Sequence, residues 1–231
     1  MIRKTSKRKL KVGIIRFPCS NCDFDTLKFF KKFGHDAFFI WYKESKLSKI
    51  DLLVLPGGFA FGDRVYKKAT GKYVIDPGEQ AISSPVMNVV SKAAEKKIPI
   101  LGICNGFQIL VKAGFLPGKL LQNKSKKFFC DFVSCKITGD SFFHDKNLIG
   151  KIFRIPVAHG YGRYVIGKTE LTDLKKNNQI FLKYQGFNPN GSIGNIAGVT
   201  NEYKNIYGLM PHPERSKDGK YFIKAIEKYV G

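Results

Sequence analysis

Three short runs rich in aliphatic residues, each bounded by turn residues, constrain the fold of this chain more than any other feature. They are KLKVGIIRF (residues 9–17), IDLLVLP (50–56) and IPILGI (98–103). Runs of this length without regular polar alternation are typical of strands buried on both faces of a parallel sheet. The sequence therefore predicts a buried, mostly parallel sheet.

Helical patterns separate these runs. Apolar residues recur at helical spacing after the first run, and Gly34 marks the end of that helix. They are Phe24, Leu27, Phe30 and Phe33. A strand is expected from about Ala37 to Tyr42, a helix over 85–97, and another helix that begins near Asn105. Alternation of strands and helices predicts an α/β fold.

The pattern changes after Leu116. Residues 128–138 and 151–166 alternate in polarity as antiparallel strands do, so we expect such strands to extend or flank the sheet. A terminal helix is predicted with one apolar face, formed by Phe222, Ile226 and Tyr229. No repeat or low-complexity linker interrupts the chain, so a single domain over residues 1–231 is expected.

The net charge of +22 raises nucleic acid as a partner. The lysines of the chain are scattered in short clusters rather than gathered in one arginine-rich stripe, which favours a solvated basic surface. The basic start is interrupted by Lys11 and Arg16, so no export signal is expected. No run of eighteen apolar residues occurs, and a soluble intracellular protein without nucleic-acid or membrane partners is predicted.

The five cysteines give an odd number, which disfavours a disulfide framework. Cys19 and Cys22 form a C-x-x-C pair that could join Cys130 and Cys135 in a zinc site. The C-x4-C spacing of the second pair is loose, so no metal site is expected.

One cysteine lies in a pattern that carries chemistry. G-I-C-N-G, residues 102–106, has the form of a strand-to-helix turn in which glycines relieve crowding around Cys104. The N–H groups of the following helix would favour the thiolate. The alternative is a buried structural cysteine at the end of a strand.

A second pattern, LLVLPGGFAFGD (residues 52–63), ends a buried strand in two glycines. Glycine allows a backbone N–H to approach a substrate closely. The N–H of Gly58 could form an oxyanion hole with the N–H of Asn105, although most P-G-G segments are only turns.

A third pattern is GLMPHPER, residues 208–215. Pro213 favours an extended conformation at His212, so the segment is predicted not to be helical. In an extended chain Glu214 would lie beside His212 and fix its tautomer, leaving the other ring nitrogen as a base. Together the three patterns supply the groups required for acyl transfer through a thioester.

These motifs resemble those of the class I glutamine amidotransferases, in which GICNGFQ and HPE have close counterparts. More narrowly, the chain resembles the glutaminase subunits of phosphoribosylformylglycinamidine synthases. The matching segments occur in the same order along nearly the whole chain. They are VGIIRFPCSNCDFDT, PGGFAFGD, PILGICNGFQIL, IPVAHGYGRY, NPNGS, IAGVTNE and GLMPHPER.

The resemblance implies a flavodoxin-like fold, with helices on both faces of the sheet, and hydrolysis of L-glutamine to glutamate and ammonia in purine biosynthesis in the cytoplasm. It implies a nucleophile at Cys104, a base at His212 and an orienting carboxylate at Glu214. Gly58 and Asn105 would form the oxyanion hole, and a further residue, Gln108, would help to hold glutamine.

The resemblance also implies partners. A separate synthetase subunit would use ATP, magnesium and formylglycinamide ribonucleotide, and a small subunit would bridge the two. The glutaminase itself would need no cofactor, and its hydrolysis is expected to be slow without the loaded synthetase.

The chain departs from the family pattern at two positions. Cys19 stands where a glycine is usual, and Tyr161 stands where glutamate is common, which puts coupling to the synthetase in more doubt than catalysis. Two alternatives remain: a cysteine hydrolase or amidotransferase with another acceptor, and a basic nucleic-acid-associated protein that uses the same fold as a scaffold.

Overall fold

The computed structural model describes residues 8–62, 65–67, 73–139 and 142–231. The basic start before residue 8, and Asp63 at the end of the P-G-G pattern, lie outside the described residues. The helices are α1 (Asp23–Lys32), α2 (Glu79–Ile82), α3 (Met87–Glu95), α4 (Asn105–Lys112), α5 (Lys168–Lys176) and α6 (Gly219–Val230). The strands are β1 (Lys11–Arg16), β2 (Asp36–Trp41), β3 (Leu52–Leu55), β4 (Val65–Lys67), β5 (Tyr73–Ile75), β6 (Ile100–Ile103), β7 (Lys119–Leu121), β8 (Phe129–Ile137), β9 (Ile152–His159), β10 (Arg163–Val165), β11 (Ile180–Tyr184), β12 (Ile196–Thr200) and β13 (Ile206–Leu209).

A nine-stranded sheet forms the centre of the fold, in the order β2-β1-β3-β6-β13-β12-β11-β8-β9. The first five strands of this order pair in parallel, and the other pairings are antiparallel. The parallel part has the strand order of flavodoxin-like folds. The predicted α/β architecture, with a mostly parallel sheet and added antiparallel strands, is confirmed.

The region 151–166 does not form one strand. β9 joins the main sheet, whereas β10 pairs with β7 in a separate two-stranded sheet. Gly160 and Gly162 lie in the turn between β9 and β10. The break matters because this turn faces the candidate site.

The helices cover both faces of the sheet. α1 connects β1 to β2 in one direction along the sheet, and α3 connects β3 to β6 in the opposite direction, so right-handed crossovers put them on opposite faces. Phe222 and Ile226 of α6 are buried, and Tyr229 is half-buried, as the apolar face predicted. Within the described part of the chain, no helix has the length and apolar character needed to cross a membrane.

Every residue of β3 and of β6 is buried, which explains why these strands show no alternation in sequence. Their carboxyl ends lie side by side because β3 and β6 pair in parallel. Ligand sites in such sheets lie at the carboxyl edge of the strands. The loops that begin at Pro56 and at Cys104 therefore meet at this edge.

Candidate active site

Cys104 lies on a sharp turn between β6 and α4. Its backbone has φ 50° and ψ −103°, a conformation that residues other than glycine rarely adopt. Its N–H donates to the carbonyl of Leu209 at 2.8 Å, and its carbonyl accepts from Gln108 N at 3.1 Å. The structure thus contains the turn that the G-I-C-N-G pattern predicted.

The two glycines of the pattern are required by close packing. A Cβ added to Gly102 would lie 2.8 Å from the carbonyl oxygen of Gly106. A Cβ added to Gly106 would collide with the carbonyl oxygen of Leu55 at the end of β3. The turn that carries Cys104 is therefore packed directly on the neighbouring strand.

His212 and Glu214 form a buried pair. The ring Nδ1 of His212 lies 2.7 Å from Oε1 of Glu214, and the two side chains are 2% and 0% exposed. His212 has φ −104° and ψ 82°, but Pro213–Arg215 forms a 3-10 turn. The prediction that the segment avoids helical structure is wrong there, because proline favours the first position of a helical turn.

The charge state of His212 depends on its neighbours. Burial alone would lower the pKa of His212, but the negative charge of Glu214 and the nearby Cys104 thiol raise it well above its ordinary value. His212 is therefore stabilised as an imidazolium beside Cys104. Such an imidazolium can give a proton to a leaving group.

Two backbone N–H groups lie on the loops that meet at this edge of the sheet, those of Gly58 and Asn105. Gly58 has φ 136°, and a Cβ there would lie 2.5 Å from Asn21 N. Asn105 begins α4, so its N–H is one of those without a partner in the helix. Among the described residues, no backbone acceptor is paired with the N–H of Gly58. The N–H of Ala60 donates to Asn105 Oδ1 at 3.0 Å, which ties the Gly58 loop to the turn.

Gln108 continues this connection. Its Oε1 accepts from Asn105 Nδ2 at 2.8 Å, and its Nε2 donates to the carbonyl of Tyr161 at 2.6 Å. A chain of hydrogen bonds thus runs from Ala60 to Tyr161. The Gln108 amide has two N–H groups, and only one donor bond, to Tyr161, is found among the described residues.

Sequence reasoning did not single out His159, which the structure brings to the site. Its Nδ1 lies 3.2 Å from Asn123 Oδ1, and its Nε2 is buried without a hydrogen-bond partner among the described residues. Burial, followed by the charge of His212, lowers the pKa of His159 to about 4. The carbonyl of the preceding residue, Ala158, lies 3.8 Å from the Cys104 sulfur. The only signal in the sequence was its place in the motif AHGYGRY.

Metal-binding geometry is limited to one group in the described part of the chain. Cys22, His212 and Glu214 offer ligand atoms within 4.8 Å of one another. Two of these residues are already hydrogen-bonded to each other. The hypothetical partners of Cys22, at positions 130 and 135, do not belong to the group.

The chain is similar to known proteins over almost its full length. Residues 9–224 match the family model described as a CobB/CobQ-like glutamine amidotransferase domain. The phosphoribosylformylglycinamidine synthase subunit PurQ of Alkaliphilus metalliredigens is 41% identical over 230 residues, which cover 96% of this chain and 97% of that protein. The subunit of the same name in Thermomicrobium roseum is 42% identical over 219 residues, covering 90% of this chain and 89% of that protein.

A solved structure shows the same similarity. A chain in the structure of PurLQS from Thermotoga maritima superimposes with a TM-score of 0.83 and 36% sequence identity. The match covers 97% of this chain and 100% of that chain. The fold is therefore shared along nearly the whole chain.

Proposed function

The chain belongs to the CobB/CobQ-like glutamine amidotransferase family, and from this membership we propose that it hydrolyses glutamine through a thioester on Cys104. It is the glutaminase subunit of a phosphoribosylformylglycinamidine synthase in purine biosynthesis, since relatives of that name match nearly all of it. The observation that carries the assignment of residues is the buried His212–Glu214 pair, with its 2.7 Å contact, beside the strained Cys104.

The geometry supports a specific sequence of proton transfers. His212 holds, as an imidazolium, the proton that comes from the Cys104 thiol, and the thiolate attacks the side-chain amide carbon of glutamine. His212 then gives this proton to the departing ammonia, leaving a thioester. Water attacks the thioester with His212 as base, and glutamate leaves as the Cys104 thiol is restored. Glu214 keeps the ring in the orientation that these steps need.

The oxyanion formed in both steps would be held by backbone donors. The N–H of Gly58 and the N–H of Asn105 are the candidates, because neither has a hydrogen-bond partner in the part of the chain that the structure describes and their loops are tied together through the Asn105 side chain. Loss of one such donor typically lowers the rate about a hundredfold to a thousandfold. Gln108 would help to bind the substrate glutamine.

The ammonia would pass to a separate synthetase subunit in the cytoplasm. That subunit would use ATP and magnesium on formylglycinamide ribonucleotide, and a small bridging subunit would complete the complex. The similarity to a chain of PurLQS supports this arrangement. The glutaminase half-reaction needs no metal or nucleotide, because its steps use only the groups named above.

The test compares wild type with Cys104→Ala in the complete complex, with glutamine or ammonium as the nitrogen source. We expect the variant to lose glutamine-dependent product and glutamate release while ammonium still supports synthesis. Cys130→Ala, at an exposed cysteine, is the matched control and should behave as wild type. Retention of glutamine activity by Cys104→Ala would refute the assignment of the nucleophile.

A further inference from the structure

A second buried cysteine, Cys22, lies behind the His212–Glu214 pair. It precedes α1, and its side chain and backbone together are 5% exposed. Its N–H donates to the carbonyl of Gly57 at 3.3 Å, and its carbonyl accepts from Thr26 N at 3.0 Å. The backbone of Cys22 is thus held from both sides.

The thiol of Cys22 lies close to the imidazole of His212, to the carboxylate of Glu214 and to the backbone of Gly57. The sulfur, a ring nitrogen of His212 and a carboxylate oxygen of Glu214 lie within 4.8 Å of one another. A Cβ added to Gly57 would lie 2.5 Å from His212 Cε1 and 3.2 Å from the Cys22 sulfur. Only a glycine backbone fits at position 57 between the two side chains.

The two carboxylate oxygens of Glu214 differ in their hydrogen bonding. Oε1 binds His212, whereas Oε2 is buried and has no hydrogen-bond partner among the described residues. A buried carboxylate oxygen without a donor is costly, and water would compete for it if it had access. Cys22 occupies space beside this carboxylate and brings a weak S–H donor and a polarizable sulfur.

We propose that Cys22 is a positioning residue, whose thiol packs behind His212 and Glu214, excludes water from their hydrogen bond and fixes the orientation of the imidazole. The proposal rests on the proposed function, because it concerns the base of that reaction. Cys22 does not react and is not the nucleophile. Its neighbour in the C-x-x-C pair, Cys19, is exposed, and among the described residues it is not part of the group formed by Cys22, His212 and Glu214.

The substitution Cys22→Ala should open space for water beside Glu214. Water would weaken the interaction that keeps His212 protonated, so the pKa of His212 should fall. We expect kcat to fall about tenfold with KM unchanged, because the role proposed for Cys22 is to orient the base and not to bind glutamine. Cys22→Ser retains a small donor and should restore most of the activity.

The experiment measures kcat, KM and the pH profile for glutamine in the complete complex, for wild type, Cys22→Ala, Cys22→Ser and Cys19→Ala. The titration of His212 is followed separately by NMR of the full chain, which contains only four histidines. The expected result is a lower His212 pKa and a lower kcat in Cys22→Ala alone. Cys19→Ala, from the same turn, should match wild type.

Two results would overturn the proposal. One is a Cys22→Ala variant with the kcat and His212 titration of wild type. The other is a loss of activity without any change in the His212 titration, which would mean that Cys22 only fills space. Cys104→Ala in the same assay separates this failure from failure of the proposed function, since glutamine activity in that variant would refute the mechanism itself.

Discussion

The backbone N–H of Ala60 donates a 3.0 Å hydrogen bond to Oδ1 of Asn105, which joins the loop after β3 to the turn that carries Cys104. The Asn105 side chain is buried, and its amide nitrogen also binds Gln108. One side chain therefore connects the two arms of the proposed oxyanion hole. The backbone N–H of residue 105 is only part of what this asparagine supplies.

Asn105→Ala should lower kcat for glutamine about tenfold to a hundredfold, because the Gly58 loop loses its fixed position while the residue 105 N–H remains. Steady-state kinetics of the complex would measure this. Asn205→Ala is the matched control, since Asn205 is also buried and hydrogen-bonded. It precedes the start of β13, whereas the end of β13, at Leu209, is hydrogen-bonded to Cys104. The control should lose about 1–3 kcal/mol of stability without loss of kcat. Equal kcat values for Asn105→Ala and wild type would exclude this role.

Gly57→Ala should nearly abolish glutamine hydrolysis while leaving ammonium-dependent synthesis intact. The new Cβ would lie 2.5 Å from His212 Cε1, so the imidazole must move. Gly34→Ala serves as the control, because Gly34 has φ 88° and nothing within 4 Å of an added Cβ. It should lower the melting temperature slightly and keep full activity. An active Gly57→Ala variant would show that His212 tolerates displacement.

Glu214→Gln should shift the alkaline limb of the pH–rate profile to lower pH. Glu214 opposes the effect of burial on His212, so its removal lets burial dominate and the imidazolium loses its proton at lower pH. The rate should also fall about a hundredfold or more. The control is Glu227→Gln, which alters another buried His–Glu pair, with His35 at 3.0 Å, away from Cys104. An unshifted limb in Glu214→Gln would contradict the electrostatic account.

His159 should make the protein less stable in mild acid. Its folded pKa is about 4 because of burial and the charge of His212, whereas an unfolded histidine titrates near 6.5. The stability that the buried, neutral His159 contributes is complete above pH ~6.5 and is lost as the pH falls towards ~4. The free energy of unfolding should fall by about 3 kcal/mol in total over this range. Denaturant unfolding across this range should show a shallower pH dependence for His159→Gln. His144→Gln, at an exposed histidine, should leave the slope unchanged, and an unchanged slope in His159→Gln would contradict the prediction.

Tyr161→Glu should leave glutamine hydrolysis within about twofold of wild type. The structure uses the carbonyl of residue 161, which accepts from Gln108 at 2.6 Å, and this carbonyl survives the substitution. Tyr203→Glu, at a residue 72% exposed, is the control for added surface charge. The ratio of product formed to glutamine consumed, measured in the complex, reports on coupling to the synthetase. A large loss of hydrolysis would mean that the side chain itself acts at the site.

Much of the parallel half of the fold could be predicted because β1, β3 and β6 are buried on both faces. Strands of this kind appear in a sequence as short aliphatic runs without regular polar alternation. The close pair of His212 and Glu214 was also predictable, since two residues in sequence bring them together by almost any local geometry. The reason given was wrong at Pro213–Arg215, where a 3-10 turn replaces the extended chain. The short spacing gave the correct contact in spite of the wrong conformation.

Contacts between distant segments were not predictable. Cys22 lies beside His212 only because α1 packs against the 3-10 turn that follows this histidine. The role of the Asn105 side chain depends on Ala60, which reaches it because β3 and β6 are neighbours in the sheet. Neither contact is marked by a local period or spacing that a single sequence could reveal.

The conformation of Cys104, φ 50° and ψ −103°, has a consequence for how such a chain evolves. A residue held there costs about 1–3 kcal/mol, a large share of the 5–15 kcal/mol by which proteins typically remain folded. Glycine would adopt this backbone without the same cost, so selection for stability alone would replace the cysteine. In a descendant that no longer needed ammonia from glutamine, Cys104 would be expected to be among the first residues to be substituted. Loss of this thiol would then indicate that the chain no longer acts in purine synthesis.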